Sequence, residues 1–460
     1  MMMDNDKILK KRDILRVVIE ATTPIAVSAG EKDVETDARV MRDANRLPYI
    51  PATSLAGILR HALGKAGEQC DLWGYQSADG GRGSRLMFTN ANLVRHDGTV
   101  ADGLLDIDLQ ADEFLRHYLD LPIRQHVRIG HHGAAERHGK FDQEVVYAGS
   151  RFCFELEVAH GGEAANPIDD IVAALQSPTL RIGGSVYSGL GEFRVVTLQR
   201  AALDLTDQGD LARYLGKSSS LDNASWWTVE PNKAQQAPVD SEGWQRYDIT
   251  LRPDDFFVIG SGMGDDQADI TPVAEQRVEW GTDGTGRFTD AMLLIPATSV
   301  KGALAHRVAY HYNRLSGVFA DRLPDDMTAA DYVGNMNTAV RALFGYELDG
   351  TSLPGRVMFS DVFLTPAGTT VFNHVRIDRF TGGAMDGGLF NEKVAAGQPE
   401  FGLTIWVDKA AFCVPNVQQA LEAAIGDLVT GMLPLGGAVN RGHGTFTGHY
   451  TTPNSLTANP

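Results

Sequence analysis

The chain has 460 residues, 43% hydrophobic and 22% charged, a composition typical of globular proteins with room for two to three domains. Its formal net charge of -18 argues against a protein that coats itself in nucleic acid, because that needs a basic footprint over the whole surface. Cys70, Cys153 and Cys413 are too far apart for a disulfide framework or a Cys-x-x-Cys knuckle, and no apolar run reaches signal or membrane-span length. The expectation is a cytoplasmic protein with no membrane contact and no zinc.

The chain opens with a strand at Ile14–Glu20, where apolar and polar residues alternate. A glycine-containing loop leads to Pro51-Ala52-Thr53-Ser54-Leu55-Ala56-Gly57. There Thr53-Ser54 offers an N-cap, and Leu55, Ile58, Leu59, Ala62 and Leu63 share one helical face. Strands are expected at Arg85–Asn92, Ser150–Val158 and Phe193–Leu198, with a helix at Ile168–Leu175. From about 201 to 244 the periodicity is lost, which reads as a linker with one helix at Leu203–Leu215.

The series then begins again. A strand at Tyr247–Leu251 precedes Pro296-Ala297-Thr298-Ser299-Val300-Lys301-Gly302, with Thr298-Ser299 as the matching cap. Leu72-Trp73-Gly74 returns as Leu343-Phe344-Gly345, and Arg85-Leu86-Met87-Phe88 returns as Arg356-Val357-Met358-Phe359. His126-Val127-Arg128-Ile129 returns as His374-Val375-Arg376-Ile377. Each copy closes on a glycine loop, Gly183-Gly184 with Gly189 and Gly191, then Gly436-Gly437 with Gly442 and Gly444. The second copy carries an insertion around Glu275–Thr289.

A period this long marks whole domains rather than solenoid turns. The expected division is a first domain over 1–200, a linker over 201–244, a second domain over 245–450 and a disordered tail over 451–460. Strand, helix, strand, twice within each copy, is the split βαβ pattern of a ferredoxin-like α+β fold, which offers an open sheet face to RNA.

The run Pro48-Tyr49-Ile50-Pro51-Ala52-Thr53-Ser54-Leu55-Ala56-Gly57-Ile58-Leu59-Arg60, followed by Leu72-Trp73-Gly74, Arg85-Leu86-Met87-Phe88 and the glycine loop, resembles the RAMP superfamily, and the second copy repeats it. Two such domains in one chain look like the fused backbone subunits of type III-D-like CRISPR systems. The resemblance implies tandem RRM-like domains with thumb hairpin insertions. It also implies crRNA, complementary target RNA and other CRISPR effector subunits as partners. Metal-dependent endoribonuclease cutting of the target at two sites, one per domain, is the implied activity. A scaffold that only holds crRNA is the alternative, and an unrelated duplicated α+β enzyme is a more distant one.

The family's cutting aspartate stands in an early loop before the helix start, which directs attention to Asp37 and Asp269. The repeat supports the pairing, since Asp37 follows Gly30 by seven residues and Asp269 follows Gly262 by seven. A carboxylate there can hold Mg²⁺ near a phosphate or orient an attacking ribose hydroxyl, although an acidic loop residue is ordinarily just solvated surface. Asp33 and Asp265 match in the same way and stand in reserve, while Asp43 reads as a turn residue.

The clearest basic patch is Arg124–Lys140, with Arg124, His126, Arg128, His131, His132, Arg137, His138 and Lys140, expected to form a thumb against RNA. A zinc site at His131 and His132 is the rival, disfavoured because adjacent residues rarely converge on one ion. The second thumb, with Arg376, Arg379, Phe380, Leu389 and Phe390, would wedge more by apolar contact. The glycine loops either present N–H groups to phosphates or form tight turns, and Arg441 adds charge to the second. At the helix starts Ser54, Arg60, Ser299, Lys301 and Arg307 are further candidates for RNA contact.

Overall fold

The computed structural model describes residues 9–30, 36–64, 72–77, 80–130, 133–161, 167–227, 232–233, 243–323, 328, 332–348 and 350–452. Strand Lys11–Ala21 lies between Arg151–His160 and Phe193–Asp204, and Leu86–Phe88 pairs with the far side of Arg151–His160, all antiparallel. The second copy repeats this order, with Trp244–Pro253 between Phe401–Asp408 and Phe446–Thr451, and Val357–Phe359 outermost. Both sheets have the split βαβ arrangement of two tandem ferredoxin-like domains.

One face of each sheet packs on two helices, Ala52–Ala62 and Pro167–Leu175 in the first domain, Ala297–Leu315 and Val417–Val429 in the second. Alternation explains which residues face them. Leu15, Val17 and Ile19 join the main core of the first domain, as Tyr247, Ile249 and Leu251 do in the second. Each such side chain contributes on the order of 1.5–3 kcal/mol through burial.

The first sheet is not open on its other face, which corrects the expectation of an RNA platform there. Strand Phe193–Asp204 outruns its expected end, because Leu203 continues the alternation and packs with Ile14, Ala201 and Trp227. The chain then folds back over the sheet. Arg16 donates to the Leu221 carbonyl, Lys217 pairs with Glu155, and Tyr214 donates to Glu157 at 2.9 Å. The helix expected from Leu203 starts only at Gln208, where Asp207 accepts from the Asp210 N–H at 2.9 Å.

The helix starts also differ from expectation. Ala52 and Ala297 are the first helical residues, so Thr53-Ser54 and Thr298-Ser299 lie inside the helices and make no cap. The preceding prolines have no side-chain acceptor, and a neighbouring loop supplies one. Asn90 accepts from the Ala52 N–H at 3.0 Å, and Asp361 accepts from the Ala297 N–H at 2.8 Å.

The insertion in the second copy is a hairpin, Val278–Trp280 with Gly286–Phe288, and it plugs into the first domain. Trp280 donates to the Gly149 carbonyl at 2.8 Å and lies under the Arg151 guanidinium at 4.0 Å. Phe288 stacks on His117 with ring centroids 4.0 Å apart and sits among Phe114, Tyr118 and Tyr147. Among the described residues no helix is long and apolar enough to cross a membrane.

Candidate nucleic-acid interface and cleavage loops

Asp37 and Asp269 occupy corresponding places, exposed in loops laced to the root of each domain's own hairpin. Asp142 donates its N–H to Asp37 Oδ2 at 3.3 Å, and Asn391 donates its N–H to Asp269 Oδ2 at 2.8 Å. The residue after each aspartate extends the lacing, as the Glu144 N–H meets the Ala38 carbonyl at 2.9 Å and the Lys393 N–H meets that of Ile270 at 2.8 Å. In the first loop the Asp37 N–H also donates to Asp142 Oδ1 at 2.9 Å. Asp142 is thus a second carboxylate beside Asp37, missed in the sequence because only the hairpin's register brings it there.

The reserves fare differently. Asp33 lies outside the described residues. Asp265 pairs with Lys393 and accepts from the Gln267 and Ala268 N–H groups, and the lysine contact foremost holds its carboxyl below the ordinary range. It secures its own turn, as does Asp43, which accepts from the Asn45 and Leu47 N–H groups.

No three His, Cys, Asp or Glu side chains gather into a metal-binding group among the described residues. Asp37 with the half-buried Asp142, and Asp269 in the second domain, are the carboxylates that could hold a hard cation such as Mg²⁺. They do not make a closed protein cage. His131 and His132, the rival zinc pair, lie outside the described residues.

The hairpins Ile123–Ile129 with Ala135–Glu144 and Thr369–Ile377 with Ala384–Ala395 are the expected thumbs. Arg128, Arg137 and Lys140 are exposed on the first, while Arg376, Arg379 and a 98% exposed Phe380 project from the second. The first thumb lies along the second domain beside the Asp269 loop, touching it near the root and again near the tip. His306 meets the Ile129 carbonyl at 3.4 Å, and Gln125 Oε1 lies 3.1 Å from the point where a Cβ on Gly262 would stand.

Four basic candidates are already engaged inside the protein. Arg124 is buried between Glu275 at 2.6 Å and Asp361 at 2.5 Å. Burial works to lower its pKa, but the two carboxylates outweigh it and hold the guanidinium above its usual value. Arg124 is therefore a bridge between domains, not a phosphate grip. His126 stacks on Phe141, and burial together with Arg124 holds its imidazole below its ordinary value, so it does not serve as a cation. Arg307 pairs with Asp427, and Arg441 pairs with the buried Glu392, which His374 also meets at 2.9 Å.

Backbone packing accounts for several loop glycines. A Cβ on Gly191 or Gly444 would stand 2.2 Å from the carbonyl of Ile182 or Leu435, at a φ of +81° in both. Gly183 and Gly436 press in the same way on Ala26 and Val258, while Gly184 and Gly437 remain exposed. Gly189 is buried against the second domain and has no access to RNA.

A family model described as the RAMP superfamily matches residues 18–194 and 284–447. The chain belongs to the RAMP superfamily. No curated protein matches it.

In this RAMP protein Ser54 and Ser299 are half-buried near the helix starts and Arg60 is half-buried in the last turn of its helix, and Lys301 is the most informative of these candidates. Burial holds its ammonium below the usual lysine value. Among the described residues it makes no hydrogen bond or ion pair. A desolvated cation without an anion is destabilising, and a phosphate would satisfy it.

Lys301→Met is therefore expected to leave the melting temperature unchanged or raised while weakening RNA binding and lowering the salt slope by about 1. The pH dependence has a definite sign. Phosphate raises the depressed lysine pKa, so binding takes up a proton and affinity falls as pH rises through the alkaline range. The methionine variant should flatten that fall. Unchanged binding curves at all salt and pH values would remove Lys301 from the interface.

Proposed function

We propose that this RAMP protein is the crRNA-binding backbone subunit of a type III CRISPR ribonucleoprotein and cleaves complementary target RNA at two sites, one per domain. Membership of the family supports a CRISPR-associated RNA-binding subunit. The observation that carries the finer reading is the matched seating of Asp37 and Asp269, each exposed and each fixed to the root of a thumb.

In this mechanism the thumb tip splays the guide–target duplex, and the adjacent loop meets the distorted target backbone. The carboxylate orients the ribose 2'-hydroxyl for in-line attack on the adjacent phosphate and accepts its proton. The P–O5' bond breaks as the 2'-O–P bond forms, leaving a 2',3'-cyclic phosphate and a 5'-oxygen that takes a proton from water. Orientation alone can contribute several kcal/mol. Asp37 and Asp269 are the residues that would hold a Mg²⁺ ion, which would supply charge neutralisation when bound.

The test is the assembled complex with labelled complementary RNA. Two cuts one domain-step apart are expected, with the crRNA spared and both cuts abolished by chelation. The alternative is a non-catalytic scaffold, favoured by the fact that both aspartates already accept a backbone N–H. Intact target with bound crRNA would decide for it.

A further inference from the structure

Each cleavage loop has a second attachment to its thumb, and the two attachments are opposite in charge. The backbone sets the correspondence, since the Glu144 N–H meets the Ala38 carbonyl at 2.9 Å and the Lys393 N–H meets the Ile270 carbonyl at 2.8 Å. Glu144 and Lys393 therefore hold one position at the root of the thumb. Each lies two residues beyond the one that bonds its aspartate, Asp142 or Asn391, and so on the same strand face.

In the first domain Glu144 reaches forward along the loop. One of its oxygens accepts from the Val40 N–H at 2.8 Å, and the other pairs with Arg42 at 2.6 Å. Arg42 in turn donates to the carbonyls of Arg46 at 2.8 Å and Tyr118 at 2.7 Å. The limb that follows Asp37 is thus braced by backbone partners as well as by charge.

In the second domain Lys393 reaches back instead. It pairs with Asp265, whose other oxygen accepts from the N–H groups of Gln267 at 2.8 Å and Ala268 at 2.9 Å. Asp265 also donates its own N–H to the Ala268 carbonyl at 2.8 Å, so the ion pair holds the turn that carries Asp269. The forward brace has no counterpart. The bridges Ser28–Val40 and Gly260–Pro272 match, which puts Pro272 and Ala274 in the places of Val40 and Arg42. Pro272 has no N–H to donate and Ala274 carries no cation. A glutamate at 393 would therefore find no partner ahead of it and would face Asp265, whereas a lysine takes Asp265 as its partner.

We infer that Glu144 and Lys393 are positioning residues, each fixing the loop of its own domain's aspartate against the thumb, the first through backbone bonds and an ion pair, the second through an ion pair alone. The inference rests on the cleavage reading of Asp37 and Asp269. Asp265 is 42% exposed, so its pairing with Lys393 is open to screening by salt. The bond from Val40 is neutral on the donor side and shielded, so salt should loosen the second loop before the first.

Hydrogen exchange on the full chain without RNA reads the loops, and labelled complementary RNA in the assembled complex reads the cuts. Lys393→Met should speed exchange at Asp265, Ala268 and Ile270 by about tenfold, while Ala29, Asp37 and Met41 keep their wild-type rates. High salt should move the wild type in the same direction. Lys393→Arg keeps the charge and should stay slow, and Lys393→Met with Asp265→Asn should be no faster than the sum of the single changes predicts, because the two residues act as a pair. Glu144→Ala should do the reverse, speeding Val40 and Met41 and sparing Ala268. In the complex Lys393→Met should slow the second cut with RNA affinity unchanged, and the first cut reports that the variant is folded and assembled. Unchanged exchange at Ala268 and Ile270 in Lys393→Met overturns the attachment, and a loosened loop with an undiminished second cut overturns the positioning role. A wild-type complex that cuts at neither place overturns the cleavage reading and the positioning role with it, while exchange decides the attachment by itself.

Discussion

Arg124→Ala is expected to destabilise the protein by about 3–5 kcal/mol, the cost of leaving two buried carboxylates without their cation. The side chains of Arg124, Glu275 and Asp361 are only 7%, 9% and 1% exposed, so water cannot take the arginine's place. For domains of this size such a loss lowers the melting temperature by roughly 6–20 °C. Neutralising the carboxylates as well, in Arg124→Leu with Glu275→Gln and Asp361→Asn, should restore much of the loss. An arginine that served only to grip phosphate would behave in the opposite way, with normal melting and weakened RNA retention. Calorimetry of the RNA-free protein separates the two, and a melting curve unmoved by Arg124→Ala would sink the bridge.

Asp37→Ala and Asp269→Ala are expected to remove one cleavage product each, by about 10²–10⁴-fold in rate. RNA binding should stay nearly intact, because neither carboxylate neutralises a phosphate that holds the guide. Both side chains also accept a backbone N–H, so alanine mixes chemical and structural effects. Asp37→Asn and Asp269→Asn keep an acceptor while removing the charge, and should lose cutting as fully as alanine does. Asp142→Asn should slow only the first cut, since the second loop has Asn391 at the equivalent bond. If the asparagine variants cut normally at both places, the aspartates are turn residues and nothing more.

Much of this architecture was legible in the sequence, because alternation and repetition are local properties. Ile14–Glu20 lies within Lys11–Ala21, and Ile168–Leu175 within Pro167–Leu175. The register between copies puts Asp37 and Asp269 in equivalent loops, and the bonds to Asp142 and Asn391 match. What escaped was tertiary. A run of cations from Arg124 to Lys140 looks uniform in one dimension, and Arg124 and Arg128 even share a strand face, yet Arg124 at the hairpin's root is buried against the carboxylates of the second domain while Arg128 nearer the tip stands in solvent. Nothing local to Thr53-Ser54 announces that Asn90, far along the chain, caps the helix in their place. The insertion could be counted, but its destination among Phe114, Tyr118 and Tyr147 depends on packing between domains.

That destination bears on how the protein is made. The aromatic pocket around Phe114, Tyr118 and Tyr147 leaves the ribosome well before residues 278–288, which complete it. During synthesis the first domain therefore waits with an apolar wound on its surface, and exposed surface of this kind promotes aggregation. A nascent chain stalled or cleaved before the hairpin carries that wound permanently. Release of a fragment ending near Trp227 should call for chaperone protection that the finished chain does not need, so the second domain acts in part as the first domain's folding partner, supplied in cis.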